Sequence, residues 1–211
     1  MFFFNETTAN NLQGLLNNDH LFKLIILWGE KGNGKTFTIR SVFGNNHIKT
    51  KEIIFSEENT FPFDIVESLS TPINDEDTVL IQYSQLLKEN YCLIFQNMEF
   101  CDMDSQRLLN RLIKYHKNND QKACIVLEYN TLHEPKDILC SLAESNNILC
   151  MASPGKDCFY EYYAMCFDDT PKTKALFEKI LQITRGNILN FFTTLNICLL
   201  YTSDAADDKA R

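Results

Sequence analysis

Residues 29–36 read GEKGNGKT, and the pattern of this stretch decides the fold. It matches G-x-x-x-x-G-K-[ST] at every fixed position, and it contains three of the chain's seven glycines. An apolar run at 23–28, KLIILW, precedes it, and residues 36–43 have a pattern typical of a helix. A glycine-rich turn between a buried strand and a helix directs backbone N–H groups towards an anion. The stretch therefore predicts a phosphate-binding loop; the alternative is a glycine-rich turn that binds no ligand.

The side chains of this loop have the chemistry that binding of a nucleoside triphosphate requires. Glycine tolerates the positive φ angles that turn N–H groups inwards. Lys35 supplies a compact positive charge for the β- and γ-phosphates, and the Thr36 hydroxyl is placed to ligate Mg²⁺. We therefore expect ATP and Mg²⁺ as cofactors. The residues expected to contact the nucleotide are Gly29, Glu30, Lys31, Gly32, Asn33, Gly34, Lys35, Thr36 and Phe37.

Strands and helices alternate along the rest of the chain. Short apolar runs predict strands at 23–28, 52–55, 91–95 and 123–127, and a fifth strand at either 148–151 or 162–167. Helical spacing or composition predicts helices at 7–17, 36–43, around 63–69, and at 78–88, 104–115, 172–184 and 189–196. This alternation predicts a three-layer α/β fold with a mainly parallel sheet.

A second site motif is expected at the end of the strand 92–95, where an acidic residue usually holds the water shell of Mg²⁺. Gln96 stands at that position. Its amide accepts a hydrogen bond from a metal-bound water but carries no negative charge, so we expect slow hydrolysis of ATP. On this interpretation a Gln96→Asp variant hydrolyses ATP faster. Glu99 and Asp102 are the nearest carboxylates that could compensate.

Two further residues have two interpretations each. Glu99 is either the general base for the attacking water or a solvated carboxylate favoured at a helix start. Asn130 follows the strand 123–127. It either orients that water or senses the γ-phosphate, or it is a loop residue suited to a turn. The predicted catalytic residues are Lys35, Glu99 and Asn130, and the predicted metal-site residues are Thr36 and Gln96.

The order of these motifs resembles the AAA-like and STAND branches of the P-loop ATPases. It is similar to the bacterial multidomain ATP-binding proteins and, more distantly, to the origin-recognition ATPases. Residues 29–36 match the Walker A motif in full, and residues 93–99 resemble the Walker B strand, with Gln96 replacing the expected Asp. Residues 3–6 are similar to a segment that borders adenine in that family. Residues 183–189, ITRGNIL, resemble its lid motif.

This resemblance covers about residues 3–197 and implies a P-loop NTPase sheet of order 5-1-4-3-2 followed by a helical lid. It implies a nucleotide-binding domain at 1–168 and a partial helical lid at 169–197. Arg185 is then either a lid residue that contacts the γ-phosphate or a surface arginine near the C-terminal end of a helix. The function implied is an ATP-dependent switch, an ATPase in which the lid closes when nucleotide is bound.

The last residues, 198–211, differ in composition from the rest of the chain. They include CLLYTSDAADD, which resembles the translation of a sequencing adapter, and we leave this tail out of the fold prediction. The natural gene is then expected to continue beyond residue 197. Domains encoded there would bind a protein partner or mediate self-association.

Composition excludes several classes of protein. The formal net charge is −8, so the chain lacks the basic surface expected of a nucleic-acid-binding protein. We expect nucleic acid to bind only through regions that are missing from this sequence. Apolar runs fall short of the roughly 20 residues of a membrane helix, which predicts a cytoplasmic protein without a membrane partner. Two alternative functions stay open: an ATP-binding interaction module that does not hydrolyse ATP, and an ATPase of a DNA-initiator or transposition-helper type.

Overall fold

The computed structural model describes residues 5–57, 76–168 and 170–207, with side chains up to residue 198. The helix expected around 63–69 and the residues at 3–4 lie outside this part of the chain. The chain divides into two compact units. The sheet unit consists of Glu6–Gly29 and Lys35–Met151; the helical unit contains Glu30–Gly34 and the chain from Ala152 onward.

Within the described residues, five strands form one parallel sheet. They are β1 (Phe22–Gly29), β2 (Lys49–Ile54), β3 (Tyr91–Gln96), β4 (Ala123–Asn130) and β5 (Ile148–Cys150). Their order is β2-β3-β4-β1-β5, and every neighbouring pair is parallel. This confirms the predicted α/β fold and the 5-1-4-3-2 order. Leu24 to Leu27 of β1 are all buried, as expected for a strand covered on both faces.

The strand register aligns the carboxyl ends of β1, β3 and β4 at one edge of the sheet. Leu27 and Gly29 of β1 pair with Glu128 and Asn130 of β4, and Phe95 of β3 pairs with Leu127. Asn130 is therefore the last residue of β4, which corrects the prediction that it lies in the following loop. The strand is three residues longer than its apolar run because Glu128, Tyr129 and Asn130 continue the pairing with β1.

Four helices of the sheet unit flank the sheet within the described residues. They are α1 (Glu6–Asn17), α2 (Lys35–Asn45), α3 (Glu76–Lys88) and α4 (Met103–Asn118). The Asp102 side chain caps α4 by accepting hydrogen bonds from the N–H groups of Asp104 (2.9 Å) and Ser105 (2.8 Å). Leu108, Leu112 and their neighbours on α4 pack with α3 and the sheet in the main hydrophobic core.

The helical unit contains α5 (Lys156–Cys166), α6 (Pro171–Thr184) and α7 (Ile188–Asp207). Its core is aromatic, with Phe159, Phe177 and Phe191 fully buried. The alternative fifth strand at 162–167 is excluded because these residues belong to α5 and its C-terminal cap; β5 lies at 148–150 instead. Helix α7 continues into the stretch 198–207 that resembles an adapter. The domain boundary expected after residue 168 stays a prediction.

Candidate nucleotide-binding site

The segment 29–36 connects the carboxyl end of β1 to the start of α2, as the motif requires. Gly29 is the last residue of β1 and Lys35 the first of α2. Gly29, Gly32 and Gly34 have φ angles of 152°, 91° and 82°. A Cβ atom on Gly29 would lie 2.4 Å from the carbonyl oxygen of Met151, so this position requires glycine on steric as well as conformational grounds.

Lys35 is buried, although it carries a charge. Its side chain is 3% exposed, and Nζ donates a hydrogen bond of 2.9 Å to the carbonyl oxygen of Gly29. The ammonium group thus lies against the first residue of the predicted phosphate loop. The role of Lys35 towards a phosphate group stays a prediction.

Thr36 contacts a carboxylate that the sequence patterns did not reveal. Its Oγ1 lies 3.0 Å from Oε1 and 2.9 Å from Oε2 of Glu128, and the hydroxyl donates to that carboxylate. Glu128 belongs to β4 and is 4% exposed. The sequence does contain one indication that Glu128 is special: residues 123–130 read ACIVLEYN, a buried strand with a single acidic residue.

The environment of Glu128 opposes its negative charge. Burial raises the pKa of the Glu128 carboxyl above its ordinary value, and the carboxylates of Glu99 and Glu52 act in the same direction. The Thr36 hydroxyl and the Lys35 ammonium lower this pKa but do not outweigh burial. A bound cation would favour the ionised form.

Gln96 lies at the end of β3, and its amide faces another carboxylate. Its Nε2 donates a hydrogen bond of 2.7 Å to Oε2 of Glu52. Glu52 is held in turn by the Arg40 guanidinium, through bonds of 2.7 and 2.5 Å. Hydrogen bonding to Arg40 is the main reason why the pKa of the Glu52 carboxyl is lowered. The metal role of Gln96 stays a prediction.

Glu99 and Asn130, which the sequence predicts separately as catalytic residues, lie together in the structure. The Asn130 N–H group donates to Glu99 Oε2 (3.0 Å), and its Nδ2 donates to Glu99 Oε1 (2.9 Å). Asn130 Nδ2 also lies 2.7 Å from Oδ1 of Asn97, a residue in the left-handed conformation. Glu99 itself is exposed, in the short 3₁₀ helix Met98–Phe100. The catalytic roles of both residues stay predictions, and the interpretation of Asn130 as a loop residue is wrong because this residue ends β4.

Inside the helical unit, the loop residues Glu30–Gly34 contact the start of α7. Nδ2 of Asn187 donates a hydrogen bond of 2.7 Å to the carbonyl oxygen of Lys31, and it lies 3.3 Å from Asn33 Oδ1. The Leu189 N–H group donates to the carbonyl oxygen of Gly32 at 3.0 Å. The segment that resembles a lid motif is therefore bonded to the middle of the predicted phosphate loop.

Two predicted contact residues have exposed side chains. Arg185 ends α6 in the left-handed conformation and is exposed, and Phe37 is 52% exposed on α2. Their roles towards a nucleotide stay predictions.

A magnesium site in this region would use few protein ligands. Among residues 5–57, 76–168 and 170–207, no group of three or more His, Cys, Asp or Glu side chains is placed to hold a metal ion. Mg²⁺ retains several waters and is usually bound through one or two protein groups together with substrate phosphates. The hydroxyl of Thr36 beside the carboxylate of Glu128 fits that requirement.

Comparison with known proteins gives structural matches but no sequence family. No family model matches the chain, and no curated protein matches it. The described part of the chain contains no helix with both the length and the apolar character needed to cross a bilayer.

Three solved structures have a similar fold. Cdc6p from Pyrobaculum aerophilum matches with a TM-score of 0.55 and 15% identity, over 76% of this chain and 48% of that one. C. elegans PCH-2 matches with a TM-score of 0.56 and 15% identity, over 90% of this chain and 57% of that one. A chain of the E. coli MS115-1 HORMA:CdnC:Trip13 complex matches with a TM-score of 0.53 and 14% identity, over 85% of this chain and 73% of that one.

The chain thus spans about half the length of the first two solved structures that it matches. At these identities the likeness concerns the fold. The sheet order, the position of the segment 29–36 after β1 and the three structural matches together show that this chain has the fold of the AAA+ P-loop ATPases.

Proposed function

We propose that the chain binds Mg·ATP through residues 29–36 and acts as an ATP-dependent switch that hydrolyses ATP slowly. One observation carries this proposal. Lys35, at the start of α2, is buried with its ammonium on Gly29, while the next residue, Thr36, directs its hydroxyl to a buried carboxylate. A plain glycine-rich turn needs neither a buried ammonium nor a hydroxyl–carboxylate pair.

Each group of the site has a defined task in this proposal. The N–H groups of the loop and of the first turn of α2 bind phosphate oxygens, and Lys35 neutralises their charge. Thr36 ligates the magnesium ion. Bound Mg²⁺ would supply charge neutralisation at the β- and γ-phosphates. Asn130, hydrogen-bonded to Glu99, orients the attacking water, and the Glu99 carboxylate accepts the proton of that water.

The helical unit is the part that would respond to the nucleotide. Helices α6 and α7 act as the lid, and the bonds from Asn187 and Leu189 to residues 31 and 32 support this role. A phosphate group that alters the loop backbone therefore alters the groups that hold the start of α7. A protein partner, or a second copy of the chain, would detect that change.

The nucleotide-binding proposal is tested with Lys35→Ala. Removal of a charged hydrogen-bond donor is expected to weaken binding of a fluorescent ATP analogue about 10- to 100-fold in equilibrium titration. The matched control is Lys114→Ala, which removes an exposed lysine from α4. Undiminished affinity in Lys35→Ala would remove the proposal.

One alternative function has specific support. A module that binds ATP without hydrolysing it is favoured by the amide of Gln96 in place of an acid and by its engagement with Glu52. Phosphate release in a single-turnover assay separates the two functions. Release of phosphate that is lost in Glu99→Gln supports the slow ATPase, whereas bound ATP that stays intact over hours supports the interaction module.

A further inference from the structure

Glu128 occupies a position that the proposed nucleotide site does not yet explain. The strand β3 ends in an amide, Gln96, where an acidic residue would hold the magnesium shell. The neighbouring strand β4 instead directs a carboxylate at Thr36, the predicted magnesium ligand, with oxygens 2.9 and 3.0 Å from its hydroxyl. We infer that Glu128 supplies the negative charge for the magnesium ion, in place of the acid that is absent from β3.

The Lys35 ammonium acts on the Glu128 carboxylate electrostatically, but the two form no salt bridge in the part of the chain that the structure describes. The Glu128 side chain is buried, and it forms no salt bridge with any other described residue. A buried carboxylate destabilises the folded chain unless it is paired or coordinates a metal. A divalent cation beside Thr36 would provide that pairing.

The three carboxylates at this edge of the sheet differ in the groups that bind them. Glu52 is bound by the Arg40 guanidinium, and Glu99 accepts hydrogen bonds from the Asn130 N–H and Nδ2 groups. Among the described residues, Glu128 accepts hydrogen bonds from one group, the Thr36 hydroxyl. A carboxylate has about four acceptor sites, so both oxygens retain capacity to bind a cation.

The inference rests on the proposed nucleotide site, and it adds that the charge of Glu128 is needed for Mg²⁺ to strengthen nucleotide binding. If Glu128 merely holds the Thr36 rotamer, Gln can replace it, because an amide oxygen still accepts from the hydroxyl. If Glu128 faces the metal, the charge itself is required, and Gln cannot replace it. The dependence of nucleotide affinity on Mg²⁺ distinguishes these two roles without reference to hydrolysis.

The experiment measures the affinity of ATP for the full chain, once with excess EDTA and once with excess Mg²⁺. For the parent protein, Mg²⁺ is expected to tighten binding about tenfold or more. In Glu128→Gln, most of this gain is expected to disappear. Binding in EDTA should stay equal or become tighter, because a negative charge near the triphosphate has been removed. In Glu128→Asp, which keeps the charge, part of the gain should return.

Glu52→Gln is the matched control, since it removes a carboxylate from the same edge of the sheet. Its expected result is an unchanged gain from Mg²⁺, because Glu52 is committed to Arg40 and Gln96. A full magnesium gain in Glu128→Gln overturns the inference and leaves the nucleotide site intact. Absence of ATP binding by the parent in both buffers overturns the proposed function and the inference together.

Gln96 provides a second variant in case Glu128→Gln does not fold. Gln96→Ala is expected to keep the magnesium gain, because the charge comes from β4. Loss of the gain in Gln96→Ala would place the metal at the end of β3 and overturn the inference. Gln96→Asp is then not expected to hydrolyse ATP faster, because Glu128 already supplies the negative charge and the new carboxylate would lie against Glu52.

Discussion

Gly32 is held in a conformation and a space that other residues do not fit. Its φ angle is 91°, and a Cβ atom there would lie 2.6 Å from Asn187 Oδ1 and 2.9 Å from Leu189 Cβ. Gly14, in the middle of α1, has a helical environment with nothing within 4 Å of such a Cβ. The two glycines therefore serve different purposes, and the same substitution should have opposite effects.

Gly32→Ala is expected to lower the free energy of unfolding by about 1–3 kcal/mol, because it combines a strained φ angle with two close contacts. Gly14→Ala is expected to raise it by about 0.5–1 kcal/mol, because alanine has the higher helix propensity. Urea denaturation monitored by circular dichroism measures both changes. Equal effects of the two substitutions would show that residues 30–34 are not packed against α7.

At the scale of single residues, the sequence predicted the local parts of the site and missed a contact between distant residues. The positions of Lys35 and Thr36 follow from the motif because their neighbours along the chain determine them. Glu128 is 92 residues away from Thr36 and meets it because β4 lies beside β1. No local pattern contains that adjacency, and the strand was expected to end at Leu127.

At the scale of helices and strands, apolar periodicity predicted most elements and failed where aromatic residues are dense. The segment 162–167 could be interpreted as a strand because apolar residues dominate it. In the structure, Phe159 and Tyr163 are both buried in the helical unit, four residues apart on one face of α5. The helical spacing of the segment 162–167 becomes visible only when the segment is extended back to Phe159.

The contact between α3 and α4 contains a histidine that should make stability depend on pH. His116 of α4 is buried, with Nε2 3.4 Å from Ser84 Oγ and Nδ1 without a partner among the described residues. Burial lowers its pKa below the ordinary value of 6.5, and the positive charge of Lys88 on α3 acts in the same direction. The unfolded chain consequently binds more protons than the folded one at pH values just below 6.5.

The free energy of unfolding of the parent is therefore expected to fall as the pH decreases from 7 through 6.5 and to stop falling below the lowered pKa. This part of the pH dependence should be absent in His116→Leu, which cannot be protonated. His133→Gln, a change at an exposed histidine, is the control and should retain it. Urea denaturation at a series of pH values provides the measurement. Parallel curves for the parent and His116→Leu would contradict the assignment.

At the scale of the whole molecule, sheet order was predictable through family resemblance and not through periodicity. Alternation of strands and helices indicates a parallel sheet, but many strand orders satisfy it. The observed order β2-β3-β4-β1-β5 matches the one that the motif order implied. This order places β4 beside β1, the strand that precedes residues 29–36, and β3 beside β4. Glu128, Glu99 and Asn130 therefore lie at one edge of the sheet.

The central claim is that the backbone N–H groups of residues 29–36, together with Lys35, hold a triphosphate. Amide NMR of the ¹⁵N-labelled chain, titrated with Mg·ATP, tests it most directly. The account predicts the largest amide shifts at residues 29–36 in the parent protein, and their loss in Lys35→Ala at the same nucleotide concentration. Shifts elsewhere with residues 29–36 unchanged, or identical shifts in Lys35→Ala, would contradict it.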